Sequence, residues 1–99
     1  MKRNAIGVVE VNYFANSVIV VDAMMKAAEV ELVSCHKTLG GRMIHTIVAG
    51  ETSAVNATIE AANAAESIIG KDNLKVAVTI SNPHPEIMKL LNLINAKVK

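Results

Sequence analysis

The chain has 99 residues, with 10 Lys plus Arg against 9 Asp plus Glu and a formal net charge of +1, which is long enough for one hydrophobic core and too short for two. Hydrophobic residues make up 52% of it but aromatics only 2%, so Ala, Val, Ile, Leu and Met must build the interior and the stacking platforms of single-strand binders are missing. Lys and Arg are dispersed rather than gathered in a stripe, and nucleic acid is not expected as a partner.

The single cysteine, Cys35, has no mate for an internal disulfide. No charged lead followed by an apolar run opens the chain, so a reducing cytoplasmic home is expected.

Residues 1–4 form a polar, basic lead-in, and residues 5–11 (AIGVVEV) are short and β-branched. They predict a buried strand in which Gly7 permits close packing. Asn12 is a candidate cap for a first helix over residues 14–28. From Val18 onward this helix is almost wholly apolar, and its charged positions Asp22, Lys26 and Glu29 share a strip about 60° wide. Asp22 and Lys26 lie one turn apart and can pair. A helix so apolar needs cover on more than one side, and a chain this short is expected to find that cover on neighbouring subunits. A membrane span is excluded, because the run breaks at Asp22 and stops at Lys26, short of the roughly 20 apolar residues required.

Residues 30–38 and 42–49 read as two strands joined by a tight turn at Gly40-Gly41. Thr52-Ser53 is expected to cap a second helix that stops at Gly70, and residues 71–73 to turn into a strand over 74–80. In that strand Leu74, Val76, Val78 and Ile80 alternate with Lys75, Ala77 and Thr79, which predicts that the first set forms the better-buried face. Pro83 and Pro85 break the strand, and Pro85 suits the first turn of a third helix over residues 85–97. The order β-α-β-β-α-β-α places the chain in the α/β (α+β) class, as one ferredoxin-like domain over residues 1–99 with an added C-terminal helix. Many functions share that scaffold, so it decides none.

The chemistry-bearing residues are few. No nucleophile elbow, phosphate loop or HExxH helix occurs, so neither enzymatic activity nor a cofactor is expected. The Gly40-Gly41 turn sets His36 opposite His45 on one face. With Cys35 alternating to the other side, no third ligand is evident, and cross-strand packing is expected in place of metal. Cys35 reads as a buried structural thiol and Met24-Met25 as core or interface filling. Asp22, Glu29 and Glu31 need no role beyond solvation.

Four segments, AIGVVEV, VDAMMKAAEVELV, HKTLGGRMIHTIVAGE and SNPH, occur in an order that strongly resembles the single-domain shell proteins of bacterial microcompartments, over about residues 5–90. The resemblance implies a cyclic homohexamer in the bacterial cytoplasm, tiled with other shell proteins into facets that enclose enzymes and pierced by an axial pore for small metabolites. Lys26 matches the family's edge lysine, and Pro83 and His84 match its late proline-histidine segment. Asn82 stands where that segment carries an edge arginine, Tyr13 where glycine is usual and Ile19 where glutamate is common.

The pore loop implied by the resemblance is Thr38, Leu39, Gly40, Gly41 and Arg42, one residue longer than the usual lysine, apolar residue and glycine-serine-glycine. Gly41 takes the place of the pore serine, or Gly40 does if the extra residue sits later. If Arg42 faces the axis, six copies would favour anions; the other reading turns it to solvent or pairs it with an acidic neighbour. A small trimeric ligand-sensing regulator on the same scaffold is the alternative function. It calls for a long mobile loop and a basic cleft, neither of which the sequence offers.

Overall fold

In the computed structural model, which describes residues 4–38, 40 and 42–90, four eight-residue strands form one antiparallel sheet in the order β2-β3-β1-β4. In chain order the elements are β1 (Ala5–Asn12), α1 (Phe14–Ala27), β2 (Glu31–Thr38), β3 (Met43–Gly50), α2 (Thr52–Ile69) and β4 (Leu74–Ser81). A third helix, α3, covers residues 85–90. Its expected continuation to residue 97 lies outside the described residues, as do Leu39 and Gly41. The expected β-α-β-β-α-β order and ferredoxin-like sheet are what the chain adopts.

The period of two in β1 divides the molecule into layers. Ala5, Val9 and Val11 point toward the helices and pack with Val20 and Met24 of α1 and with Val55, Ile59, Ala62, Ala65 and Ile69 of α2. Between them Gly7 lets α2 approach: a Cβ there would sit 3.1 Å from side-chain atoms of Ile59, Val48 and Val55 alike. The opposite face of the sheet carries Ile6, Val33 and Ala49, with Val8, Ile47 and Met88 of α3 against them.

Several expectations need correction, among them Asn12 as the cap of α1, whose N-cap position is Tyr13. The helix-facing side of β4 is not the set Leu74, Val76, Val78 and Ile80. Glu10 pairs with Val76 but Val11 with Leu74, so Lys75 is an extra residue, a bulge that moves Leu74 to the opposite face from Val76. Leu74 and Ala77 therefore pack on the main core, while Val78 and Ile80 are exposed.

The link between β2 and β3 is also longer than a two-residue turn. The register His36↔His45 holds, but the last pair is Thr38↔Met43, which leaves Arg42 outside β3. Finally, Thr52 and Ser53 do not cap α2. Thr52 is already helical, and its backbone N–H donates to Asn4 Oδ1 at 2.9 Å, a cap supplied from the start of the chain.

Candidate functional site

The polar residues singled out by sequence collect at two opposite ends of the sheet. One end holds the close of β1 and of β2, the start of α1 and the turn before β4, where Asn12 Nδ2 donates to the Asp72 carbonyl at 3.5 Å. The other holds the start of β1, the end of β4 and the close of α1. There Glu29 and Val30 sit beside Gly50, which pairs with Ala5, itself paired with Ser81.

At the first end, Thr38 closes β2 and Arg42, exposed, precedes β3. Gly40 takes a φ of 68° with open space around it, as a glycine in a turn is free to do. Tyr13 is the residue that sequence reasoning undervalued. It carries φ 70° and ψ 137°, a conformation that costs a non-glycine residue about 1–3 kcal/mol. Its N–H donates to the Arg42 carbonyl at 2.6 Å, and its carbonyl accepts the Ser17 N–H at 3.1 Å. The Lys37 ammonium lies over the Phe14 ring, 4.9 Å from its centroid. The usual glycine of the resembled family at position 13 was the signal that a positive φ belonged there.

On the sheet face away from α1 and α2, His45 Nδ1 is 2.7 Å from Glu10 Oε2 and His45 Nε2 is 2.9 Å from Thr38 Oγ1. Both ring nitrogens are thereby committed. His36, directly opposite in the ladder, keeps a buried Nε2 without a hydrogen-bond partner. No three metal-ligating side chains come together among the described residues.

At the second end, Lys26 Nζ and Asp22 Oδ2 are 2.8 Å apart on the exposed strip of α1, the pairing that their spacing predicted. The hydrogen bond and charge of Asp22 raise the Lys26 pKa above its usual 10.5. Asn82 adopts φ 49° and donates its N–H to the Asn4 carbonyl at 2.7 Å; asparagine tolerates the left-handed region better than most side chains. His84 precedes α3: its Nδ1 accepts the Glu86 N–H at 3.1 Å and its carbonyl the Ile87 N–H at 2.8 Å. Lys26, Asn82 and His84 thus share one end of the sheet, remote from Thr38 and Arg42.

Between α1 and β2 runs an open apolar groove lined by Phe14, Ser17, Val18, Val21, Asp22 and Cys35. Cys35 is exposed there, contrary to the expectation of a buried thiol, because β2 is an edge strand and α1 does not close over it. Thr46 Oγ1 donates to Cys35 Sγ at 3.8 Å.

The fold is a split βαβ sheet with the β2–β3 link at one end and Lys26, Asn82 and His84 at the other. Residues 5–83 match the BMC domain family, and the chain belongs to that family. It is 40% identical over 92 residues to the carboxysome shell protein CsoS1C of Hydrogenovibrio crunogenus, a match that covers 93% of this chain and 88% of that one. Carboxysome shell protein CsoS1A of the same organism is 39% identical over 89 residues, covering 90% and 91%. The crystal structure of a microcompartment protein from Desulfitobacterium hafniense is similar with a TM-score of 0.76 at 25% identity, over 90% of this chain. This chain spans 47% of that longer one.

Proposed function

We propose that the chain is a non-catalytic structural subunit of a bacterial microcompartment shell in the bacterial cytoplasm. Copies of it close into a homohexamer, and the hexamers lie beside other shell proteins in a facet around encapsulated enzymes. Membership of the BMC domain family and the carboxysome shell relatives support the shell role.

The observation that carries self-assembly is apolar surface on both edges of one sheet. Along α1 and β2, Phe14, Val18, Ile19, Met25 and Leu32 are exposed; along β4, Val78 and Ile80 are. A ring needs two different, complementary patches on every subunit, because a head-to-tail joint closes only when one side of each copy meets the other side of the next. The sequence expectation that α1 requires outside cover fits the exposure of those residues.

The two polar ends take roles in the same reading. Thr38, Leu39, Gly40, Gly41 and Arg42 form a loop at the six-fold axis that passes small metabolites, and Lys26, Asn82 and His84 lie at the rim where tiles meet. Family membership favours this over a ligand-sensing regulator. Electron microscopy of the purified protein tests it: ordered sheets of six-fold units are expected from the wild type, and separate six-fold rings from Lys26→Ala. Rings lost altogether in Lys26→Ala would remove Lys26 from the rim.

A further inference from the structure

Tyr13 is the one residue between β1 and α1, and its φ of 70° with ψ 137° is a backbone geometry that glycine takes freely and a tyrosine does not. Such a conformation persists only when its surroundings over-determine it. Two backbone bonds do so. The N–H of Tyr13 reaches the Arg42 carbonyl at 2.6 Å, and the carbonyl of Tyr13 receives the Ser17 N–H at 3.1 Å. The first bond lies one position beyond Asn12↔Met43, the last β1–β3 pair; the second belongs to the first turn of α1. The chain makes both without a spacer residue, and the positive φ is what redirects it from sheet to helix in one step.

Burial within the subunit does not compensate for that geometry, since Tyr13 is 54% exposed. What the geometry secures is at the loop. Arg42 belongs to neither strand, and the bond from Tyr13 fixes its carbonyl. The next residue, Phe14, holds the Lys37 ammonium over its ring at 4.9 Å. The two aromatic residues of the chain, its single Tyr and single Phe, thus meet the two arms of the loop, Phe14 at the Lys37 ammonium and Tyr13 at the Arg42 backbone.

We propose that the Tyr13–Phe14 junction is the positioning element for Lys37 and Arg42, with Tyr13 acting through its strained backbone and Phe14 through its ring. In the pore reading given above, on which only the transport test below rests, the junction sets the charge preference for small anions. It does so by fixing the Lys37 ammonium and the backbone from which Arg42 projects, not by touching the solute.

Hydrogen exchange of the residue-13 amide, corrected for intrinsic rate, tests the backbone part. Tyr13→Gly retains the bond and removes the strain, so exchange is expected to slow about fivefold; Tyr13→Ala retains both bond and strain and is expected to stay within about twofold of the wild type. Faster exchange in both variants, or no change in Tyr13→Gly, overturns the proposal, because the tyrosine side chain or neither feature would then be holding the segment.

For the ring part, the anion-to-cation permeability ratio of the oligomer in a planar bilayer is measured for wild type, Phe14→Leu, Lys37→Ala and Arg42→Ala. Phe14→Leu is expected to lower the ratio by as much as Lys37→Ala does; a ratio lowered by Lys37→Ala but unchanged by Phe14→Leu overturns that role of the ring. A ratio insensitive to Lys37 and Arg42 alike contradicts the pore reading, while the exchange result still judges Tyr13. Thermal unfolding of Phe14→Leu shows whether the variant is folded when the ratio is read.

Discussion

At the second polar end Lys26 pairs with Asp22 at 2.8 Å and its side chain is 75% exposed. An exposed i,i+4 pair adds little to stability, so Lys26→Ala is expected to leave the unfolding midpoint of the subunit within about 1 °C while weakening the lateral association of tiles. Thermal melts run beside sedimentation of assembled sheets check both halves. The sign of the pH effect follows from the raised pKa of Lys26: the charged form is present below 10.5 and is lost as pH rises through the higher folded value. Any contribution that its charge makes to tiling should therefore hold through neutral and mildly alkaline pH and fade only above 10.5. Turbidity of the sheets against pH reads this directly, and dissociation near pH 8 would mean that another group controls the joint.

Asn4 lies at the same end. Its Oδ1 receives the Thr52 N–H at 2.9 Å, and its carbonyl receives the Asn82 N–H at 2.7 Å, tying β1, α2 and the exit from β4 together. Removing the side chain in Asn4→Ala leaves the helix end uncapped and should cost about 1 kcal/mol of stability, measured by chemical denaturation.

Among the elements, the close contact of β1 with α2 depends on a missing side chain. Gly7→Val would place atoms against Ile59, Val48 and Val55, where a Cβ alone already meets all three at 3.1 Å. Overpacking of this kind costs about 1–3 kcal/mol, seen as a lowered denaturation midpoint with an unchanged slope. This contact was legible in the sequence, as were the type and order of the elements, because β-branched runs, helical spacing and glycine stops all act locally.

What was not legible acts over distance or through a single inserted residue. The cap of α2 comes from Asn4, 48 positions earlier. The exposure of Val78 and Ile80 follows from one extra residue in β4, Lys75, which alternation alone cannot reveal. Cys35 is open to solvent because of how far α1 stands from an edge strand, a matter of packing and not of composition. The candidate rim and loop residues were found through resemblance. The placement of Thr38 and Arg42 at the opposite end from Lys26 follows from the antiparallel return of α1 along β1, while the link from Tyr13 to Arg42 joins positions far apart in the chain.

For the whole molecule, the unequal edges of the sheet are the feature that a lone subunit leaves unexplained. Val18 of α1, beside the β2 edge, and Val78 and Ile80 on β4 are each at least 40% exposed, and a chain with 52% hydrophobic residues has apolar surface to spare for a joint. In the proposed ring the two surfaces are halves of one contact, so charge placed on either edge should act alike. Val18→Asp and Ile80→Asp are each expected to give folded subunits that no longer close into rings, with little change in far-ultraviolet circular dichroism. Disruption by one substitution and indifference to the other would show that the two edges do not meet.

Native mass spectrometry of the unmodified protein tests the central claim most directly. The account predicts a dominant species six times the 10.5 kDa chain mass, stable on dilution to low micromolar concentration. A persistent single chain at high concentration, or a trimer whose melting responds to nucleotide, would contradict it.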